Sequence, residues 1–263
     1  LEQLVAELRS REGSLGLEGR TDWHRQIRGW KDEWNDFVSP HFSTSSSPMR
    51  PERVVADIQA CIPEDAIIAF DAGVHHNWFM QFFHSRKPQT TLHSWGFSAM
   101  GFGVSGILGA KLAAPHRPCI AVVGDGGFTM TPHVLCTAVE YGIPVVWVIW
   151  NNFAWGAIRD IQYGLFEGRE IGTAFYAGAN GTPYNPDFAA MARSCGVHGR
   201  TVTHSDQFQD ALREALALGE PAVIDVHVDA DIRPPSTGTW HLPPVAYPEP
   251  RFGEAWDHDP SAI

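Results

Sequence analysis

Several things are scarce in this sequence, and each scarcity excludes a class of protein. No run of about 18 consecutive apolar residues occurs in the 263, so no segment reads as a membrane-spanning helix. Positive charge is low: 19 Lys and Arg stand against 30 Asp and Glu, a net charge of −11. That balance argues against nucleic acid or an anionic membrane surface as the main partner. Cysteine is sparse as well. Cys61, Cys119, Cys136 and Cys195 are widely and irregularly spaced, which suits neither a disulfide framework nor a zinc site and reads as buried thiols of a cytoplasmic protein. Neither an internal repeat nor a signal-peptide pattern is visible. What the chain has is apolar content, 44% overall, enough for one large core and additional segments.

Four stretches differ in pattern. Residues 1–38 read as two helical pieces, with Trp23, Ile27, Trp30, Trp34 and Phe37 on one face at helical spacing. Such a stripe packs on a neighbouring domain. The chain opens inside a helical pattern (Leu1, Leu4, Val5, Leu8) without a methionine, as expected of a polypeptide cut or begun upstream. Residues 39–51, rich in Ser and Pro, read as a linker. Residues 52–229 alternate helix and strand, which predicts an α/β fold: a doubly wound, mostly parallel sheet with helices on both faces. Residues 230–263 hold seven prolines and two tryptophans and read as an extended tail that could act as a lid.

The chemistry concentrates at two strand ends. Cys119 to Val123 and Val145 to Trp150 are short apolar runs bounded by turn signals, as expected of buried parallel strands. The first ends in Gly124-Asp125-Gly126 and the second in Asn151-Asn152, so Asp125 and Asn152 meet at the carboxyl ends of neighbouring strands. Open α/β sheets bind ligands there. One carboxylate and one amide oxygen suit magnesium, which keeps water or phosphate oxygens as its other ligands. The glycines allow backbone N–H groups to approach a phosphate.

This pattern resembles the cofactor motif of thiamine diphosphate enzymes, in which GDG and a following NN hold magnesium and the diphosphate. Ser94 to Gly103 is similar to the segment of acetolactate synthase-like enzymes that ends in methionine followed by G-F-G, and Phe70 to His75 is similar to their strand-end Asp-x-Gly-x-His. The resemblance covers roughly residues 50 to 230. It implies thiamine diphosphate and Mg2+ as cofactors, with Asp125, Asn152 and the carbonyl of Ala154 on the metal. By the same resemblance Gly124, Gly126, Gly127, Gly156 and Ala157 meet the metal or diphosphate through their backbone, and His75 reaches the diphosphate. Met100 holds the cofactor in its bent shape, and Ser98 and Met100 touch its aminopyrimidine ring. Asp71 is expected to cap the helix that follows it. His76 and His93 are expected to be surface or satisfied histidines.

Family enzymes activate the cofactor with a glutamate on a separate pyrimidine-binding domain. No second domain of that kind fits in this chain, so a companion chain or upstream domain is expected to supply it, and the catalytic glutamate is not assigned here. The expected substrates are a small 2-oxo acid, 2-hydroxyacyl compound or aldehyde, in a homo- or hetero-oligomer. Departures from the family bear on substrate. Ala157 and Ile161 replace the methionine and tryptophan of the acetohydroxyacid synthase pattern, and Val134 replaces a glutamate, so the pocket is expected to be reshaped. Rival readings are a 2-hydroxyacyl-CoA lyase on the same scaffold, a non-catalytic α/β subunit, and a nicotinamide oxidoreductase using Gly101-Phe102-Gly103-Val104-Ser105-Gly106 as a dinucleotide fingerprint. The last needs a strand directly before the glycines, and His93 to Met100 is too rich in small and polar residues to be one.

Overall fold

The computed structural model describes residues 1–14, 20–178, 181–234, 250–251 and 254–255. In chain order the elements are α1 (Glu2–Ser10), α2 (Arg20–Val38), α3 (Pro51–Cys61), β1 (Ile67–Phe70), α4 (Val74–Phe82), β2 (Thr91–His93) and α5 (Phe102–Ala113). There follow β3 (Cys119–Gly124), the single turn α6 (Asp125–Phe128), α7 (Val134–Glu140), β4 (Val146–Asn151) and α8 (Gly156–Leu165). Two short strands, β5 (Tyr176–Ala177) and β6 (Thr182–Pro183), precede α9 (Phe188–Ser194), β7 (His198–Val202), α10 (Phe208–Ala217) and β8 (Ala222–His227). A last antiparallel pair joins β9 (Pro250–Arg251) to β10 (Glu254–Ala255).

Six strands form one sheet in the order β2-β1-β3-β4-β8-β7, and every neighbouring pair is parallel. The reason lies in the side chains. Strands β3 and β4 are almost wholly buried β-branched and aromatic runs, which only a sheet covered on both faces accommodates. Successive residues divide between two cores. Ile68, Phe70, Ile120, Val122, Val148, Trp150 and Ile224 pack with α3, α4 and α10 on one face. On the other, Ile67, Ala69, Ala121, Val123, Trp147 and Ile149 pack with α5, α7 and α9. Burying one such Ile or Phe contributes about 1.5–3 kcal/mol. Trp147 enters the second core without orphaning its indole, because Nε1 donates to the Val104 carbonyl at 2.9 Å.

Residues 39–51 are more integrated than a free linker. Met49 is fully buried and pairs in parallel with Val228 beyond the end of β8, while Ser46 and Ser205 exchange hydrogen bonds. An apolar Met among the serines is what draws the segment onto the sheet. The thiols also differ from expectation: Cys119 is buried, but Cys136 is exposed on α7. Most of the segment 230–263 lies outside the described residues. Its first residues are held to α8, where Arg159 donates to the Ala230 carbonyl and pairs with Asp231, and Arg233 pairs with Asp160.

Candidate cofactor site at the strand ends

From β1 the chain crosses to β2 on one side and, through α5, to β3 on the other. The direction of winding therefore reverses between β1 and β3, and the crevice at their carboxyl ends is the place where open α/β sheets hold ligands. A cavity of about 600 Å³ opens there. All eleven positions singled out from the sequence line it: His75, Ser98, Met100, Gly124, Asp125, Gly126, Gly127, Asn152, Ala154, Gly156 and Ala157.

Asp125 lies at the tip of β3, only 1% exposed. Its Oδ1 accepts from the Gly126 N–H at 2.8 Å, and its Oδ2 accepts from the Ala154 N–H at 3.2 Å and from Asn185 Nδ2 at 2.8 Å. Burial pushes its carboxyl up to about 6, and the Asn185, Gly126 and Ala154 hydrogen bonds oppose that rise. Asn152, just past the end of β4, is buried and lines the same cavity. Asn151, its neighbour, turns away and donates through Nδ2 to Asp225 Oδ1 at 2.9 Å.

Backbone closeness shapes the floor. A Cβ on Gly127 would collide with Asp71 Oδ2, and one on Gly156 would sit 2.7 Å from Asn152 Nδ2 and 2.8 Å from Val74 Cγ1. Only glycine lets α6 and the first turn of α8 come this near to the strand tips. Opposite them, His75 is buried to 1% exposure and its Nε2 has no hydrogen-bond partner. Burial lowers its imidazole to about 4, so it is neutral at pH 7.

Asp71 corrects one expectation. It does not cap α4, whose first turn receives no side-chain cap. Its two oxygens instead accept from Gly101 N and Gly103 N at 2.9 and 3.0 Å, capping α5. Both β1 and α5 deliver their ends to the same edge of the sheet, so the carboxylate at the end of β1 meets the N–H groups that open α5. His76 and His93 pair with each other, Nε2 to Nδ1 at 3.0 Å, under Trp95. As expected they are satisfied, and His93 ends β2 seven residues before Met100, which leaves no strand directly ahead of the glycines. Asn185 had no sequence signal beyond standing before Pro186 in a loop.

A diphosphate held through a divalent cation fits these residues. A carboxylate and an amide face one cavity, the glycine floor admits close approach, and the buried Nε2 of His75 lacks a partner. No Lys or Arg among the described residues lines the cavity, so compensation of phosphate charge falls to a cation and to backbone N–H groups. Among the described residues no cluster of three or more His, Cys, Asp or Glu could hold a metal alone.

Comparison with known proteins bears on the same region. Residues 71–226 match the family model for the thiamine pyrophosphate enzyme, C-terminal TPP binding domain. The acetolactate synthase large subunit of Parasynechococcus marenigrum is 33% identical over 207 residues, covering 78% of this chain and 31% of that protein. The large subunit from Haemophilus influenzae is 31% identical over 218 residues, covering 81% and 36%. Among solved structures, the thiamine diphosphate-dependent 4-hydroxybenzoylformate decarboxylase of Rhodococcus jostii RHA1 aligns with a TM-score of 0.63 at 28% identity, covering 70% of this chain and 33% of that one. This chain belongs to the thiamine diphosphate-dependent enzymes, in their acetolactate synthase-like branch. It spans about a third of the length of these relatives.

Proposed function

We propose that this chain is the diphosphate-binding part of a thiamine diphosphate- and magnesium-dependent enzyme that cleaves or forms a carbon–carbon bond beside a carbonyl. The reaction is that of a 2-oxo acid decarboxylase or carboligase. The observation that carries this reading is that Asp125 and Asn152 line one cavity with a glycine floor at the point where the sheet reverses its winding. Asp125, Asn152 and the Ala154 carbonyl take the magnesium. His75 and the backbone of Gly124, Gly126, Gly127, Gly156 and Ala157 take the diphosphate, while Ser98 and Met100 meet the ring at the cavity mouth. Once bound, the cofactor supplies the carbon nucleophile for attack on an oxo or acyl carbon.

Residues 52–229 form the cofactor domain, 1–38 the end of a preceding one, and 39–51 their connection. A companion chain or upstream domain supplies the activating glutamate. Among the described residues, Trp95, Met130, Trp155 and Ile158 line the outer cavity without a cationic side chain, which supports a 2-oxo acid with an apolar or aryl substituent. The same lack of Lys and Arg weighs against a coenzyme A thioester, whose phosphates need cationic partners. Asp125→Ala tests the reading: we expect loss of thiamine diphosphate binding in calorimetry with magnesium present. Undiminished binding would remove Asp125 from the metal. Binding of NAD instead would return the glycines to the nicotinamide reading.

A further inference from the structure

Asn185 lies in the loop before α9, 60 residues from Asp125, yet its amide sits between two strand tips. Its Nδ2 donates to Asp125 Oδ2 at 2.8 Å and to Asn151 Oδ1 at 2.7 Å, which uses both of its hydrogens. The amide orientation follows from the far end of the chain of contacts. Asp225, buried on β8, presents Oδ1 to Asn151 Nδ2 at 2.9 Å. The Asn151 amide nitrogen faces Asp225, and its oxygen, which also accepts from the Phe153 N–H, faces Asn185. Asn185 must then turn its nitrogen to both acceptors. Four side chains thus run in series from β8 through β4 to β3, and Asn185 is the link that reaches Asp125.

We propose that Asn185 is a positioning residue for the divalent cation. It rests on the cofactor reading above. Ala154 N and Asn185 Nδ2 donate to Asp125 Oδ2 and Gly126 N donates to Oδ1, while the Phe153 N–H also favours the carboxylate. Clamping Oδ2 fixes the carboxylate plane and leaves Oδ1 with a lone pair for the cation. Among the described residues Asn185 is the only side-chain donor to the carboxylate, so its loss leaves the group held by backbone N–H groups alone. The contact is long-range in sequence, and the hairpin of β5 and β6 with the turn into α9 is what carries Asn185 to the site.

Asn185→Asp discriminates this role from mere space filling, because it keeps the shape and replaces the donor by an acceptor. The experiment uses the chain in its native assembly. Magnesium is titrated at fixed thiamine diphosphate, with quenching of tryptophan fluorescence as the readout, since Trp95, Trp150 and Trp155 line the cavity. Both Asn185→Asp and Asn185→Ala are expected to raise the half-saturating magnesium concentration about tenfold or more, with Asp the worse of the two. The cofactor-free melting temperature of Asn185→Ala is expected to stay within about 2 °C of the parent. Equal magnesium dependence in parent and Asn185→Asp overturns the assignment and leaves the cofactor reading standing. A parent protein without magnesium-dependent binding overturns both.

Discussion

The crevice at the strand ends and the helical arm α1–α2 invert the usual placement of residues in opposite senses. In the crevice, polar groups are inside: Asp71, His75, Asp125, Asn151 and Asn152 are at most 7% exposed. On the arm, apolar groups are outside: Leu4, Leu8, Trp23, Trp30 and Phe37 are between 45% and 60% exposed. Buried polar groups and exposed apolar stripes are the informative exceptions to ordinary burial. Exposed apolar stripes of this kind mark interaction surfaces, and buried polar groups around a cavity mark ligand sites. The far end of the arm is covered by this chain, where Trp34 stacks on Phe82 of α4 with ring centroids 5.9 Å apart.

Substitutions at the crevice should move binding more than stability. Asp125→Ala, as above, carries the largest expected effect, loss of retained cofactor. Asp71→Ala comes next and breaks the pattern, because its carboxylate serves the fold. Removing two hydrogen bonds from a buried carboxylate to Gly101 and Gly103 is expected to cost about 2–4 kcal/mol, seen as a lower denaturant midpoint. An unchanged midpoint would show that α5 does not depend on that cap.

Acid sharpens the comparison further. His75 falls from 6.5 to about 4 on folding because of burial, so the folded state binds fewer protons in that window, and its contribution to stability is lost as pH drops from 6.5 to 4. His76, also lowered to about 4 by burial, acts in the same direction. Asp125 is raised from 3.8 to about 6, so its contribution has the opposite sign and grows on acidification through that range. Burial also lowers His93 and raises Asp57, Asp71 and Asp160, so on acidification the histidines lower stability while the aspartates oppose that loss. Magnesium needs the ionised carboxylate, so cation affinity should fall up to tenfold per pH unit below about 6. Chemical denaturation and magnesium titration between pH 7 and 5 measure both. A flat magnesium affinity would contradict the role of Asp125.

The arm should show the smallest effect. Trp30→Gln is expected to change the stability of this chain by no more than about 0.5 kcal/mol, while weakening attachment to whatever surface covers the stripe. A large loss of stability would mean that α2 belongs to the core of this chain.

Much of this was legible in the residues. The stripe of α2 and the strands β3 and β4 have strong periodicity, and Asp125 and Asn152 sit at the ends of the two most apolar runs. Edge strands were harder. Strand β2 has three residues, and β7 carries Arg200 and two other exposed positions, so neither shows the doubly buried pattern of an inner strand. Asn185 and the true target of Asp71 were illegible for another reason. Each contact joins segments brought together only by the winding of the sheet, and neither residue type differs from an ordinary loop or cap residue.

Native mass spectrometry of the assembly containing this chain tests the central claim most directly. The account predicts one thiamine diphosphate and one magnesium per chain, both lost on chelation and absent in Asp125→Ala. Thiamine diphosphate held without a divalent cation, or no thiamine diphosphate at all, would contradict it.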